Sequence, residues 1–182
     1  LGDVYKRQLQ KERPTIINLL SMESGEGKSY LAKYFVDYWE TEGIKTRIVM
    51  HGVDFDVEAK EYVNAQQLSR FWRRNEAEQE PDIILVEYPA INNASIPLDT
   101  LRQADVNLLV ANACRLWRNS DNATLQPIKE AMENVPFFLY LNNADREVVE
   151  SFTGELPPRT PLHSFVSRLA QLGLTSKKAA VK

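Results

Sequence analysis

The run Met22-Glu23-Ser24-Gly25-Glu26-Gly27-Lys28-Ser29 constrains this chain more than any other stretch. It directly follows an apolar run, Thr15 to Leu20, that reads as a strand. It directly precedes Ser29 to Thr41, which reads as a helix with Leu31, Phe35, Tyr38 and Trp39 on one face and Gly43 as its stop. Glycines followed by a lysine and a hydroxyl, between a strand and a helix, have the spacing of a loop that cradles phosphate. The glycines let backbone N–H groups turn inward around phosphate oxygens, and the helix N-terminus adds partial positive charge. Lys28 is then expected to reach the β/γ-phosphates, and the Ser29 hydroxyl to ligate Mg²⁺. Ser24, Gly25, Glu26, Gly27 and Tyr30 complete the expected nucleotide contacts. The usual first glycine of the motif falls at Met22, so the motif is incomplete; the plain alternative is a Gly-rich turn carrying an exposed lysine.

Short apolar runs alternate with helical patterns along the rest of the chain. Thr46 to Met50 reads as strand two, and Val57 to Arg74 as mostly helical, with Leu68, Phe71 and Trp72 as its apolar stripe. Asp82 to Glu87 is strand three, Pro97 to Ala104 a short helix and Val106 to Ala111 strand four. A helix capped by Ser120 is expected to end near Val135, and Pro136 to Leu141 is strand five. The remainder, with Pro157, Pro158 and Pro161, reads as a loop leading to a final helix near Leu162 to Leu172. This alternation predicts an α/β, three-layer fold with a mainly parallel sheet flanked by helices. Ligands bind at the edge where strands end and helices begin.

Residues 9–174 read as one nucleotide-binding domain and 175–182 as a tail. Residues 1–8 resemble translated adapter sequence and are set aside. The chain opens on Leu1 rather than Met, which points to a fragment; a membrane-anchored amino-terminal half could have been lost.

A net charge of −3 gives no global footprint for nucleic acid. Cys114 is the only cysteine, so no intrachain disulfide can form and a reducing, cytosolic setting is expected. The apolar runs are too short to span a bilayer. Arg70-Phe71-Trp72-Arg73-Arg74 mixes basic and aromatic residues, as a nucleic-acid or anionic-lipid site would, but reads most simply as two core aromatics under solvated arginines. Arg115 and Arg118 fall near the ligand edge, where they could touch phosphate or a neighbouring subunit, but read first as surface arginines. His51 and His163 have no metal-ligand spacing around them, and Cys114 is expected as buried filler.

Phosphoryl transfer requires a metal held by acidic residues and a group that orients the nucleophile. Two candidates end apolar strands: Asp54-Phe55-Asp56 after strand two, and Glu87 closing Ile83-Ile84-Leu85-Val86. The alternative is that these acids cap helices or solvate loops. Asn142-Asn143-Ala144-Asp145, after strand five, has the N-x-x-D spacing used to read guanine, but Asn143 stands where a lysine is usual. The competing readings are an Asn142 amide on adenine and an ordinary turn.

Taken together, Ser-Gly-Glu-Gly-Lys-Ser, an Asp-x-Asp after strand two and an apolar strand ending in acid-x-Pro resemble the cytoplasmic domain of the bacterial tyrosine autokinases of capsule and exopolysaccharide assembly. The resemblance runs from Thr15 to about Leu174. It implies an ATP-binding domain that regulates polysaccharide polymerisation or export, with Mg²⁺–ATP bound jointly by Lys28 and Ser29, by Asp54 and Asp56, and by Glu87. Lys28, Asp54 and Asp56 take the catalytic roles, and Ser29, Asp54 and Glu87 the metal. It also implies a homo-oligomer, fused to or partnered with a membrane chain-length regulator at the inner face of the plasma membrane, and it favours adenine over guanine.

The chain departs from that family at Glu87, where Asp is usual, and at Gly52, which strict register puts in the first acidic position. Its last tyrosine is Tyr140, so no phosphorylation of a carboxy-terminal tyrosine cluster is expected. The partitioning and septum-positioning ATPases share the fold but carry a lysine where this chain has Glu23. A nucleotide-dependent assembly switch without phosphoryl transfer, and a GTPase, are the alternative functions.

Overall fold

A computed structural model describes residues 14–58, 81–132 and 134–153. Most of the helix expected from Val57, the Arg70–Arg74 cluster, His163, the helix near Leu162 and both termini lie outside the described residues. The chain divides into two compact units, one of residues 13–143 and one of residues 1–12 with 144–182.

The first unit is a five-stranded, wholly parallel sheet. Its strands are β1 (Thr15–Leu20), β2 (Thr46–Met50), β3 (Ile83–Glu87), β4 (Val106–Asn112) and β5 (Phe137–Asn142), in the spatial order β2-β3-β1-β4-β5. Among the described residues its helices are α1 (Lys28–Thr41), α2 (Leu98–Arg102) and α3 (Asn119–Ala131). β1 is central: the connection leaving it runs to β2 on one side, while the one leaving its neighbour β3 runs to β4 on the other, so the carboxyl ends of β1 and β3 form the switch point where such sheets bind ligands.

Strand periodicity explains the layering. Ile16 and Leu20 join a buried cluster with Val49, Ile84, Val86, Leu101, Leu109, Leu125 and Ile128, which brings α2 and α3 onto that face. Ile17 and Leu19, at the alternate positions, are equally buried. Leu31, Ala32, Phe35 and Trp39 are the buried stripe of α1, which packs on β1, β2 and β3. The Phe35 and Trp39 rings lie 5.0 Å apart. Gly43 ends α1 with φ 74°, its N–H donating to Glu40 O (3.0 Å) while the Ile44 N–H reaches Trp39 O (2.9 Å).

One polar pair interrupts the apolar face. Asn18 of β1 and Asn107 of β4 are fully buried; Asn18 Nδ2 donates to Asn107 Oδ1 (2.9 Å), and Asn107 Nδ2 to Leu101 O (2.9 Å). This chain of bonds ties the strand beneath the phosphate loop to β4 and α2.

The element bounds match the sequence expectations closely, with two corrections. Ser120 does not cap α3: the helix starts at Asn119, and the Asp121 carboxylate accepts the Arg118 N–H at 2.8 Å. An acid two residues inside the helix satisfies the free amide there, and the serine hydroxyl is not used. The second correction lies in the other unit, where the segment read as a loop contains α4 (Arg146–Thr153). Asp145 Oδ1 accepts the Glu147 and Val148 N–H groups (2.8 and 3.3 Å), so this residue starts the helix as an N-cap. Among the described residues no helix is long and apolar enough to cross a membrane.

Candidate functional site: the loop after the central strand

The chain leaves β1 at Leu20 and turns through residues 21–27 before entering α1. Gly25 (φ 80°) and Gly27 (φ 100°) take conformations that side-chain-bearing residues rarely adopt. Gly27 is needed for a second reason: a Cβ there would run into the amide nitrogen of Asn142. Asn142 ends β5 and donates its Nδ2 to Glu26 O at 3.1 Å, so this sequence-predicted base contact stands against the loop backbone. Met22, at the place of the usual first glycine, is fully buried in the core cluster.

Lys28 opens α1 with its side chain folded under the loop. It is only 8 % exposed and donates to Ser21 Oγ at 2.5 Å. Among the described residues no carboxylate lies within ion-pair distance of it. Burial lowers its pKa from the ordinary lysine range, against the smaller opposing pull of Glu87 and Glu26. A desolvated ammonium under a glycine loop at a helix N-terminus is a site for an anion.

The next residue meets the third strand. Ser29 Oγ donates to Glu87 Oε1 at 2.6 Å, while Glu87 Oε2 is buried with no hydrogen-bond partner. A hydroxyl beside a carboxylate with an unmet oxygen is a hard-oxygen donor set, which fits Mg²⁺. No group of three or more His, Cys, Asp or Glu side chains that could hold a metal occurs among the described residues.

The Asp-x-Asp turn is brought alongside, because the His51 N–H donates to Glu87 O at 3.0 Å. Its two acids bond within their own turn. Asp54 Oδ2 accepts the Met50 N–H (2.8 Å). Asp56 Oδ1 accepts the Glu58 N–H (2.9 Å) and lies 3.2 Å from His51 Nε2; those two contacts hold its carboxyl below the usual range. Ser24 accepts from Asn93 Nδ2 (3.0 Å) and Glu23 from Asn92 Nδ2 (3.0 Å), so the loop after β3 grips the outer side of the phosphate loop. Tyr30 is exposed beside it.

Two expectations are overturned here. Cys114 is exposed rather than buried, because it sits in the turn after β4 with its N–H on Asn112 Oδ1 (2.9 Å). Arg115 is not a surface arginine. Its Nε donates to Glu26 Oε1 at 2.6 Å and its Nη1 to Asp121 Oδ2 at 2.8 Å, and both acids are buried. The sequence places Arg115 near the ligand edge but gives no sign of a partner 89 residues away.

The sheet order and the glycine loop after its central strand define an α/β P-loop fold. One solved structure agrees. A plasmid partition protein of Borrelia burgdorferi bound to AMPPNP is similar with a TM-score of 0.50 and 10 % identity, over 88 % of this chain and 98 % of that one. The kinase domain of the Escherichia coli tyrosine kinase ETK is similar at 0.49 and 14 % identity, over 71 % and 67 % of the two chains. A nucleotide-binding protein of Archaeoglobus fulgidus in complex with ADP stands at 0.47 and 15 %, over 95 % and 93 %. At such identities the likeness concerns the fold alone. No protein-family model and no curated protein matches the chain.

Proposed function

We propose that this chain is the Mg²⁺–ATP-binding domain of a tyrosine-kinase-like ATPase of capsule or exopolysaccharide assembly. The observation that carries nucleotide binding is Lys28, a buried ammonium under the glycine loop with no carboxylate in ion-pair reach among the described residues. Folding around such a charge is unfavourable unless an anion completes the site, and a nucleotide phosphate does so.

In this reading the amides of the loop and Lys28 hold the β- and γ-phosphates. Ser29 and Glu87 would hold Mg²⁺, which when bound neutralises charge building on the phosphate oxygens. Asp54 and Asp56 stand on the turn next to Glu87, where a carboxylate can orient an acceptor hydroxyl. Asn142, at the end of β5 beside the loop, is assigned to adenine, and the exposed Tyr30 to the nucleotide contacts of the loop. Asp145 gives a carboxylate oxygen to the first turn of α4, which weighs against the guanine reading.

The polysaccharide role rests on the order of glycine loop, Asp-x-Asp and third-strand acid. That order also supports a membrane chain-length regulator as partner, self-association and a place at the inner membrane face.

The test is incubation of the purified chain with γ-labelled ATP and with GTP, with and without Lys28→Met. Phosphate release, phosphotyrosine and oligomer size are followed. Phosphotyrosine lost in the variant supports the kinase; ATP-dependent assembly without phosphotyrosine assigns the chain to an assembly switch. Absence of binding to either nucleotide overturns the proposal.

A further inference from the structure

Glu26 is the anomaly of the loop. Its carboxylate is 2 % exposed and sits behind the loop, accepting the N–H groups of Met22 (2.9 Å) and Glu23 (3.2 Å) through Oε2. Two residues on, Lys28 is the cation that phosphate needs, and Glu26 lies close enough to act on its charge. In a poorly solvated site a carboxylate and an ammonium attract strongly, so a free Glu26 would compete with phosphate for Lys28.

Arg115 occupies the other oxygen of that carboxylate. Its side chain, 19 % exposed, reaches from the turn after β4 and takes Glu26 Oε1 at 2.6 Å. The same guanidinium is anchored by Asp121, 1 % exposed, at 2.8 Å, and the Trp117 ring lies against it with 5.3 Å between guanidinium carbon and ring centroid. Asp121 is fixed in turn by the Arg118 N–H (2.8 Å). Guanidinium nitrogen Nη2 is buried without a partner. The arginine is therefore held for the two carboxylates and not by full satisfaction of its own donors.

We propose that Arg115 is a positioning residue of the phosphate site: it holds Glu26 behind the loop and so leaves Lys28 available for phosphate. The inference rests on the nucleotide reading above. It makes a prediction that a purely structural brace does not. If Arg115 only stiffens the loop, removing Glu26 as well adds a second defect. If Arg115 restrains a competitor, neutralising that competitor restores binding.

The experiment is isothermal titration of Mg²⁺–ATP into wild type, Arg115→Gln and Arg115→Gln/Glu26→Gln, with circular dichroism to confirm that each is folded. Arg115→Gln is expected to weaken binding about 30-fold or more, the scale of losing one charged contact in a shielded site. The double variant is expected to recover about tenfold of that, a coupling within the range found for residues sharing one network. Wild-type affinity in Arg115→Gln, or a double variant no tighter than the single, overturns the inference. Should Arg115→Gln not fold, the pair Arg115→Met and Arg115→Met/Glu26→Gln, which likewise removes the cation, gives the same comparison, read in the same way. A folded wild type that binds neither ATP nor GTP sinks the nucleotide reading itself, a result distinct from binding without rescue.

Discussion

Substituting Lys28 by Met should separate binding from folding, with opposite signs. Met keeps the length and the apolar stem but removes the charge. In the ligand-free protein that charge is a burden, since Lys28 has one hydrogen bond, to Ser21 Oγ, and burial lowers its pKa. Ser21 Oγ also donates to Glu23 O (2.8 Å), so it keeps a partner in the variant. Relief of the burden is worth about 1 kcal/mol, which raises the melting midpoint by about 2–4 °C for a chain of this size.

Phosphate binding then loses its charged donor. Two charge-assisted hydrogen bonds at about 1.5–3 kcal/mol each make the loss at least ~3 kcal/mol, or more than about 100-fold in Kd. The pH dependence has a fixed sign. A lysine whose folded pKa is depressed burdens the fold while it stays protonated, and the burden fades as pH rises through that lowered value toward the ordinary value of about 10.4. The stability gap between Lys28→Met and wild type should therefore be wider at pH 7 than near about pH 10, just below that ordinary value. Calorimetric titration with Mg²⁺–ATP and ligand-free melts at both pH values measure all three quantities. A variant that binds ATP within about threefold of wild type, or that melts several degrees lower without ligand, would refute the reasoning.

Gly27→Ala combines a strained φ with a collision against Asn142, so it should cost the loop about 1–3 kcal/mol and weaken ATP binding at least tenfold in titration. Glu87→Gln should leave the fold intact but shrink the gain in ATP affinity on adding Mg²⁺, read by titration with and without the metal; an unchanged gain would remove Glu87 from the metal site. Asp121 has its carboxyl pKa lowered first by the Arg118 N–H and then by Arg115 and Asn92, against the effect of burial. Its contribution is present above the ordinary aspartate value of about 3.9 and is lost as pH falls through the lower folded value. Asp121→Asn should thus melt well below wild type at pH 7, with the two midpoints converging at pH below about 3.9.

The sheet was legible because each strand is a short apolar run bounded by polar or Gly/Pro residues, a pattern set in the central strands β1, β3 and β4 by burial on both faces. The loop was legible because glycines at fixed spacing before Lys28 answer to one backbone requirement, and Gly25 and Gly27 meet it with positive φ. The Ser29–Glu87 contact was legible in outline, since an acid ending the strand beside β1 must arrive next to the start of α1. What stayed hidden depends on side chains meeting across the fold. Arg115 and Glu26 are 89 residues apart, and no local pattern distinguishes a buried ion pair from two surface charges. Ser120 illustrates a smaller failure: of two capping residues one position apart, geometry chose Asp121.

Met22 shows why a departure from the motif need not undo the site. A glycine is obligatory only where the backbone requires positive φ or where a Cβ would collide. Among the described residues the positive-φ positions are Gly25, Gly27, Gly43, Gly52 and Asn143; Met22 is not one of them. Its side chain instead points inward, where it is fully buried in the cluster with Ile16, Leu20 and Tyr88. The residue that breaks the pattern thereby fastens the first turn of the loop to the core, while its N–H is held by Glu26. Phosphate recognition needs the amides aimed and the lysine unpaired, and neither condition involves a side chain at position 22 that faces away. The loop's weak point is then electrostatic, at Glu26, which is why its restraint by Arg115 matters more to the site than the missing glycine.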